Sequence, residues 1–161
     1  MLVALMSDTH DNEASTRAAL GVLALRKPDL YLHAGDLVSA EMLELFRGLP
    51  LHFVFGNNEW DLAGLRSGAL AAGVKCHEYL AEVDCGGKKV ALLHGHRADV
   101  EALARSGKYD YVVHGHSHVR RDERVVSCRV INPGALHRAK VRTVALLDVG
   151  SDGLEFLEVR A

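Results

Sequence analysis

The 161-residue chain has no apolar run long enough to cross a bilayer. Its opening residues, Met1 to Met6, include no basic leader, and Asp8 follows too soon for a secretory signal, so a cytoplasmic protein is expected. Cysteine is scarce: Cys76, Cys85 and Cys128 are odd in number, far apart and without a C-x-x-C pair. That spacing argues against a disulfide framework or a zinc ribbon and fits reduced thiols. Cys85 and Cys128 fall in strand-like segments, where a buried apolar filler is the expected role. Neither sign of charge is in excess, with 19 Lys and Arg against 21 Asp and Glu for a net −2. Such a balance excludes a protein that holds nucleic acid by bulk charge. No linker, repeat or low-complexity segment divides the chain, and one domain over residues 1–161 is expected.

What is present is a repeated strand–loop–helix pattern. Leu2 to Met6 is wholly apolar, as a strand buried on both faces should be. A helix from Glu13 to about Arg26 follows, capped by Asn12, with Ala14, Ala18, Leu20, Val22, Leu23 and Leu25 as its apolar side. Pro28 closes it. Leu30 to Leu32 reads as a second strand, Ala40 to Arg47 as a short helix, Leu51 to Phe55 as a third strand and Leu62 to Ala72 as a helix. Beyond these the chain becomes strand-rich. Gly86-Gly87 separates Glu82 to Cys85 from Lys88 to Leu93 as in a hairpin. A helix from Val100 to Arg105 precedes the run Tyr111 to Val113. The stretch Arg124 to Ile131, the turn Asn132-Pro133-Gly134, a strand from Arg142 to Val149 and a last strand to Arg160 complete it. The pattern predicts an α/β fold of two sheets packed face to face with helices outside.

Polar clusters follow the strands: Asp8-Thr9-His10, Gly35-Asp36, Gly56-Asn57, His94-Gly95-His96 and His116-Ser117-His118. Open α/β sheets carry their sites at the carboxyl ends of strands, where these clusters stand. Each has an ordinary reading alone, as a helix cap, a turn or a satisfied core histidine. Together they offer carboxylates, imidazoles and an amide, a donor set suited to borderline divalent metals rather than to structural zinc. Gly115 is expected to let the backbone turn so that His116 and His118 aim into one cavity.

In this order the clusters resemble the calcineurin-like metallophosphoesterases, whose signature D-x-H, G-D, G-N, G-H and G-H-x-H is matched along nearly the whole chain. The resemblance is to the small, capless branch of bacterial and archaeal phosphodiesterases. It implies a two-sheet β-sandwich flanked by helices and two divalent metal ions, manganese first, with nickel, iron, cobalt or zinc as alternatives. Asp8, His10 and His118 would hold one ion, Asn57, His94 and His116 the other, and Asp36 both. Two such ions against two carboxylates leave the site near +2, which attracts a phosphate. Asp36 and Asn57 are thereby also catalytic positions, and His96 is read as lying near the substrate. His114 is read as structural and His33 as a support for Asp36. The implied reaction is in-line attack on a phosphodiester by a water activated between the metals. Many relatives have a proton-donating histidine where this chain has Asn58, so poor leaving groups are expected to be cleaved slowly. The implied substrate is a small phosphodiester, with homo-oligomerisation left open and no membrane partner. Two other readings are a nucleotide pyrophosphatase and a protein-binding scaffold of the same fold with a degraded metal site. All seven ligand positions are filled here, which opposes the scaffold.

Overall fold

Five successive apolar residues, Leu2–Met6, form β1, and their alternation decides the layering. Val3 and Leu5 point into one core while Ala4 and Met6 point into another. The computed structural model describes residues 1–161, and β1 is central to the first of its two sheets. β2 (Leu30–His33), β3 (Leu51–Phe53) and β4 (Lys75–Cys76) continue from β1 in parallel. On its other side β1 pairs antiparallel with β10 (Thr143–Asp148), which pairs with β11 (Gly153–Glu158).

The second sheet has β5 (Leu80–Cys85), β6 (Lys88–Leu93), β7 (Tyr111–Val113), β9 (Cys128–Asn132) and β8 (Arg121–Val125) in spatial order. Its three inner strands are parallel, and antiparallel hairpin partners close both edges. The sheets face each other across Val3, Leu5, Leu32, Val90, Leu92 and Ile131. On the far face of the first sheet, α1 (Glu13–Ala24), α2 (Leu62–Ala72) and a 3₁₀ helix (Ala40–Phe46) cover Phe46, Phe53 and Phe55. α3 (Val100–Arg105) covers the second sheet over Ala91, Val112 and Val130. The expected two-sheet sandwich with helices outside is therefore the architecture, and Cys85 and Cys128 are buried filler as expected.

Several boundaries differ from the sequence reading. α1 stops at Ala24, and the side it buries is Ser15, Thr16, Ala19 and Leu23, while Ala14 and Leu25 face solvent. Strict helical spacing selects that side, and two of its four residues are hydroxyl-bearing rather than apolar. Ala40–Phe46 winds as a 3₁₀ helix rather than an α-helix. β3 ends at Phe53, leaving Val54 and Phe55 buried but off the ladder. The stretch Arg124 to Ile131 spans parts of two strands, because Val126 takes φ 58 and reverses the chain into a β8–β9 hairpin. A β-branched residue at such a turn carries no signal in sequence.

Candidate metal centre

Five of the parallel strands end at one edge of the sandwich: β1, β2 and β3 from the first sheet, β6 and β7 from the second. The loops after them carry Asp8 and His10, Asp36, Asn57, His94, and His116 with His118. Five of these residues adopt left-handed backbone: Asp8 (φ 54), His10 (φ 45), Asp36 (φ 56), His116 (φ 67) and His118 (φ 58). Each such residue costs on the order of 1 kcal/mol or more, and strain of this kind gathers at functional sites. Inter-loop bonds hold it in place: Asp8 N donates to Gly35 O at 3.0 Å, His10 N to Asp36 O at 3.0 Å and Gly115 N to His94 O at 3.1 Å.

Gly115 acts differently from the expectation. The positive φ angles belong to the histidines that follow it. A Cβ at Gly115 would lie 1.8 Å from Ser7 Oγ and 2.7 Å from Asp8 Oδ2, so glycine is needed there for close approach of the two sheets. Gly56 allows a close approach within the first sheet, since a Cβ there would lie 2.1 Å from Asp36 Oδ1 on the neighbouring loop.

The side chains converge. Asp8 Oδ2 accepts from Ser7 Oγ at 2.5 Å and from His116 N at 3.2 Å, which fixes the carboxylate. Its Oδ1 lies 3.2 Å from His118 Nε2, 3.9 Å from His10 Nε2 and 4.0 Å from His94 Nε2. Asp36 Oδ2 lies 3.3 Å from both His10 Nε2 and His94 Nε2, between the two imidazoles. Asn57 Oδ1 is 3.1 Å from His94 Nε2. His94 Nδ1 sits 2.8 Å from Ala34 O, and donation there leaves Nε2 as a lone-pair donor facing the site. The His116 ring is exposed, with its centroid 5.1 Å from that of His94. All seven residues chosen from sequence therefore meet at one place.

Two sets of potential ligand atoms lie within 4.8 Å of one another: Asp8, His10 and His118, and Asp8, Asp36 and His94. Asp8 Oδ1 and His10 Nε2 are buried and have no hydrogen-bond partner. Buried polar atoms left so cost about 1–3 kcal/mol each, and a divalent cation satisfies both a carboxylate oxygen and an imidazole nitrogen. The residues present thus fit a metal ion. Burial pushes the Asp8 carboxyl up against the pull of Ser7, His94 and His118. For Asp36 burial acts upward too, but His94 and Asn58 outweigh it and hold the carboxyl well below the usual range. Burial lowers His10, whereas for His94 the Asp36 and Asp8 carboxylates overcome burial and raise it.

Other residues complete the surroundings. Asn58 donates its backbone N to Asp36 Oδ1 at 2.9 Å and its Nδ2 to Asp36 Oδ2 at 2.7 Å. Glu59, which the sequence reading passed over, is buried and accepts from Leu37 N, Val38 N and Gly56 N. It thereby ties the Asp36 loop to the Asn57 loop. Asn132 donates to Gly115 O at 2.9 Å and to Ser117 Oγ at 3.1 Å, fixing the loop that carries His116 and His118. His137, which belongs to no motif, packs tilted against His10 with ring centroids 5.0 Å apart. His33 does not touch Asp36; its Nε2 lies 3.2 Å from Thr9 Oγ1, and burial lowers its pKa to about 3. His96 stands at the rim beside Arg97, whose Nε donates to it at 3.2 Å. His114 is buried away from the converging atoms, with Nδ1 3.1 Å from Gly115 O.

Known proteins agree with this geometry. Residues 1–152 match the calcineurin-like phosphoesterase superfamily domain. A phosphodiesterase of Methanocaldococcus jannaschii is 30% identical over 154 residues, covering 92% of this chain and 93% of that protein. A probable metallophosphoesterase of Mycoplasma pneumoniae is 28% identical over 144 residues, covering 83% of this chain and 78% of that one. Among solved structures, an archaeal phosphodiesterase superposes with TM-score 0.92 at 27% identity, covering 99% of this chain and 100% of its own. Vps29 of Entamoeba histolytica in complex with zinc shares the fold, with TM-score 0.71 at 24% identity over 99% of this chain and 98% of its own. With eleven strands in two sheets, five loops meeting at one edge and this match, the chain belongs to the calcineurin-like phosphoesterase superfamily.

Proposed function

We propose that residues 1–161 act as one metal-dependent phosphodiesterase that hydrolyses small phosphodiesters at this centre. The observation that carries the reading is the pair of unpartnered buried atoms, Asp8 Oδ1 and His10 Nε2, beside an Asp36 oxygen set between two imidazoles. Asp8, His10 and His118 would hold one divalent ion and Asn57, His94 and His116 the second, with Asp36 shared between them. Manganese is the first choice, and nickel, iron, cobalt and zinc share the donor preference. When bound, the ions supply Lewis acidity toward the phosphoryl oxygens and lower the pKa of water.

The chain's own part is positional. Ser7 and the His116 backbone N hold Asp8, Asn58 holds Asp36, and Ala34 O orients His94. Glu59 locks two of the loops together. The diester reaches the centre at the open edge of the sandwich, where His96 stands at the rim. A pyrophosphate bond in a nucleotide would use the same groups. A scaffold role is disfavoured because no position of the ligand set has been lost. The test is hydrolysis of bis-p-nitrophenyl phosphate by protein stripped with chelator and reloaded with each metal in turn. Turnover should vanish on stripping and return with manganese, and turnover that survives exhaustive chelation rules out the metal-dependent reading.

A further inference from the structure

On its His118 side the centre opens into a cleft of about 410 Å³. Arg120 lines one wall, Arg138 and Lys140 line the other, and all three are exposed. The molecule's other arginines pair widely with carboxylates, but none of these three makes an ion pair. None of the residues lining the cleft is acidic; Glu158 lines an adjoining hollow together with Lys140, Arg142 and Arg160. Arg120 is also held in place. Its Cγ would lie 3.2 Å from a Cβ on Gly134, and its guanidinium sits 5.5 Å from the Phe156 ring centroid. A guanidinium held against an aromatic face loses less freedom on binding, and its fork of donors matches phosphate bidentately. Three cations lining one cleft repel one another, and no ion pair within the fold offsets that repulsion.

We propose that this cleft is a subsite for a second phosphate group, covalently linked to the diester held at the metal centre. The inference rests on the diesterase reading above and narrows it. The preferred substrates are nucleotide-like diesters that carry a flanking phosphate, either terminal or internucleotide. His118 belongs to both the centre and the cleft wall, so the two phosphates lie side by side along one edge. A diester with a single phosphate leaves the subsite unused.

The experiment measures affinity as well as turnover. Manganese-loaded full chain is titrated calorimetrically with thymidine 3′,5′-bisphosphate and with thymidine 5′-monophosphate. Wild type should prefer the bisphosphate by about tenfold or more at low salt, and the preference should shrink as salt screens the cleft. The Arg120→Glu/Arg138→Glu variant should lose that preference, and Lys140→Gln should reduce it in part. Thermal melting checks the fold, and Arg138→Gln serves as the milder variant. A 5′-phosphorylated dinucleotide, whose flanking phosphate is terminal, compared with an unphosphorylated trinucleotide, whose flanking phosphate is internucleotide, separates the two phosphate sources. Turnover of bis-p-nitrophenyl phosphate is followed in parallel. Turnover without any bisphosphate preference in wild type, or with a preference unchanged in folded variants, overturns the subsite. A charge-dependent preference without diester turnover supports the subsite and removes the diesterase reading instead.

Discussion

Asp36 sits between two imidazoles of the centre and is anchored by Asn58. Its Oδ2 lies 3.3 Å from two imidazoles, and both oxygens accept from Asn58. Removing it takes away the one group assigned to both ions, so Asp36→Ala should lower kcat/KM at least about tenfold further than His10→Ala. Near-normal turnover of Asp36→Ala would show that the bridge is assigned wrongly. Asn58 gives a second prediction. A histidine at this position would be a proton donor, whereas here the amide is engaged in holding Asp36. General acid catalysis contributes about 10²–10⁴-fold. Its absence should leave rates steeply dependent on leaving-group pKa, with aryl diesters cleaved best, as a series of substituted phenyl diesters can measure. If wild type is insensitive and His96→Ala makes it sensitive, then His96 supplies the proton and the role given to Asn58 falls. At this scale the ligand-type residues were legible because their chemistry is distinctive. Glu59 was not, since a carboxylate turned inward to cap three backbone donors has the same letter as one in solvent. Nor was the partner of His33, because closeness along the chain to Asp36 does not decide where a buried ring points.

The elements matter through what each holds against the other. The 114–118 loop approaches β1 so closely that Gly115→Ala would drive a Cβ to within 1.8 Å of Ser7 Oγ, next to the hydrogen bond that orients Asp8. That variant should weaken metal binding and lower the melting temperature together, and wild-type metal content in Gly115→Ala would refute the argument. At the opposite end of the sandwich, Arg129 of β9 reaches across to Asp152 in the β10–β11 turn at 2.9 Å and holds Asp122 of β8 through both carboxylate oxygens. Tyr111 donates to Asp152 at 2.9 Å as well. Burial raises the Asp152 carboxyl, but Arg129, Tyr111 and Arg124 outweigh it and the net shift is downward. A carboxyl with a depressed folded pKa stabilises above its unfolded value of about 3.9 and loses that contribution as pH falls through the folded value. Asp152→Asn keeps a side chain that tolerates the local φ of 56. It should cost about 1 kcal/mol near neutrality, a modest figure because the pair is partly exposed. The gap between the wild-type and variant melting temperatures should hold from about pH 8 to 5 and close below about pH 4. A gap that persists at pH 2 would assign the effect to packing instead. The long periodic elements were legible in sequence, and α2 and α3 have the expected bounds. The β8–β9 hairpin was not, because its strand faces solvent with Arg, Asp and Glu and its turn uses Val126.

For the whole molecule, the centre is where the two sheets are joined at their functional edge. Asp8, His10, Asp36 and Asn57 come from loops of the first sheet, and His94, His116 and His118 from loops of the second. The order of these clusters was readable because each stands directly after a strand, so topology alone brings them together. The basic cleft was not readable. Arg120 lies far along the chain from Arg138 and Lys140 and shares no motif with them, and only the fold sets them face to face. Ions held between the sheets bind the folded chain and find no formed site in the unfolded one, so they must stabilise it. Bound ions would partner Asp8 Oδ1 and His10 Nε2, which no group of the fold does. Elemental analysis of manganese-reconstituted protein should find about two ions per chain. At a free ion concentration near 100 times the dissociation constant, each site adds about 2.7 kcal/mol. For a chain of this size 1 kcal/mol moves the melting temperature by about 2–4 °C, so two sites should raise it by roughly 10–20 °C over chelated protein. Asp36→Ala should lose most of that rise, whereas Asp152→Asn, lowered at the far end of the sandwich, should keep it in full. One tightly held ion per chain, with a rise that Asp36→Ala leaves intact, would mean that the sheets are joined through a single site and that the dinuclear assignment is wrong.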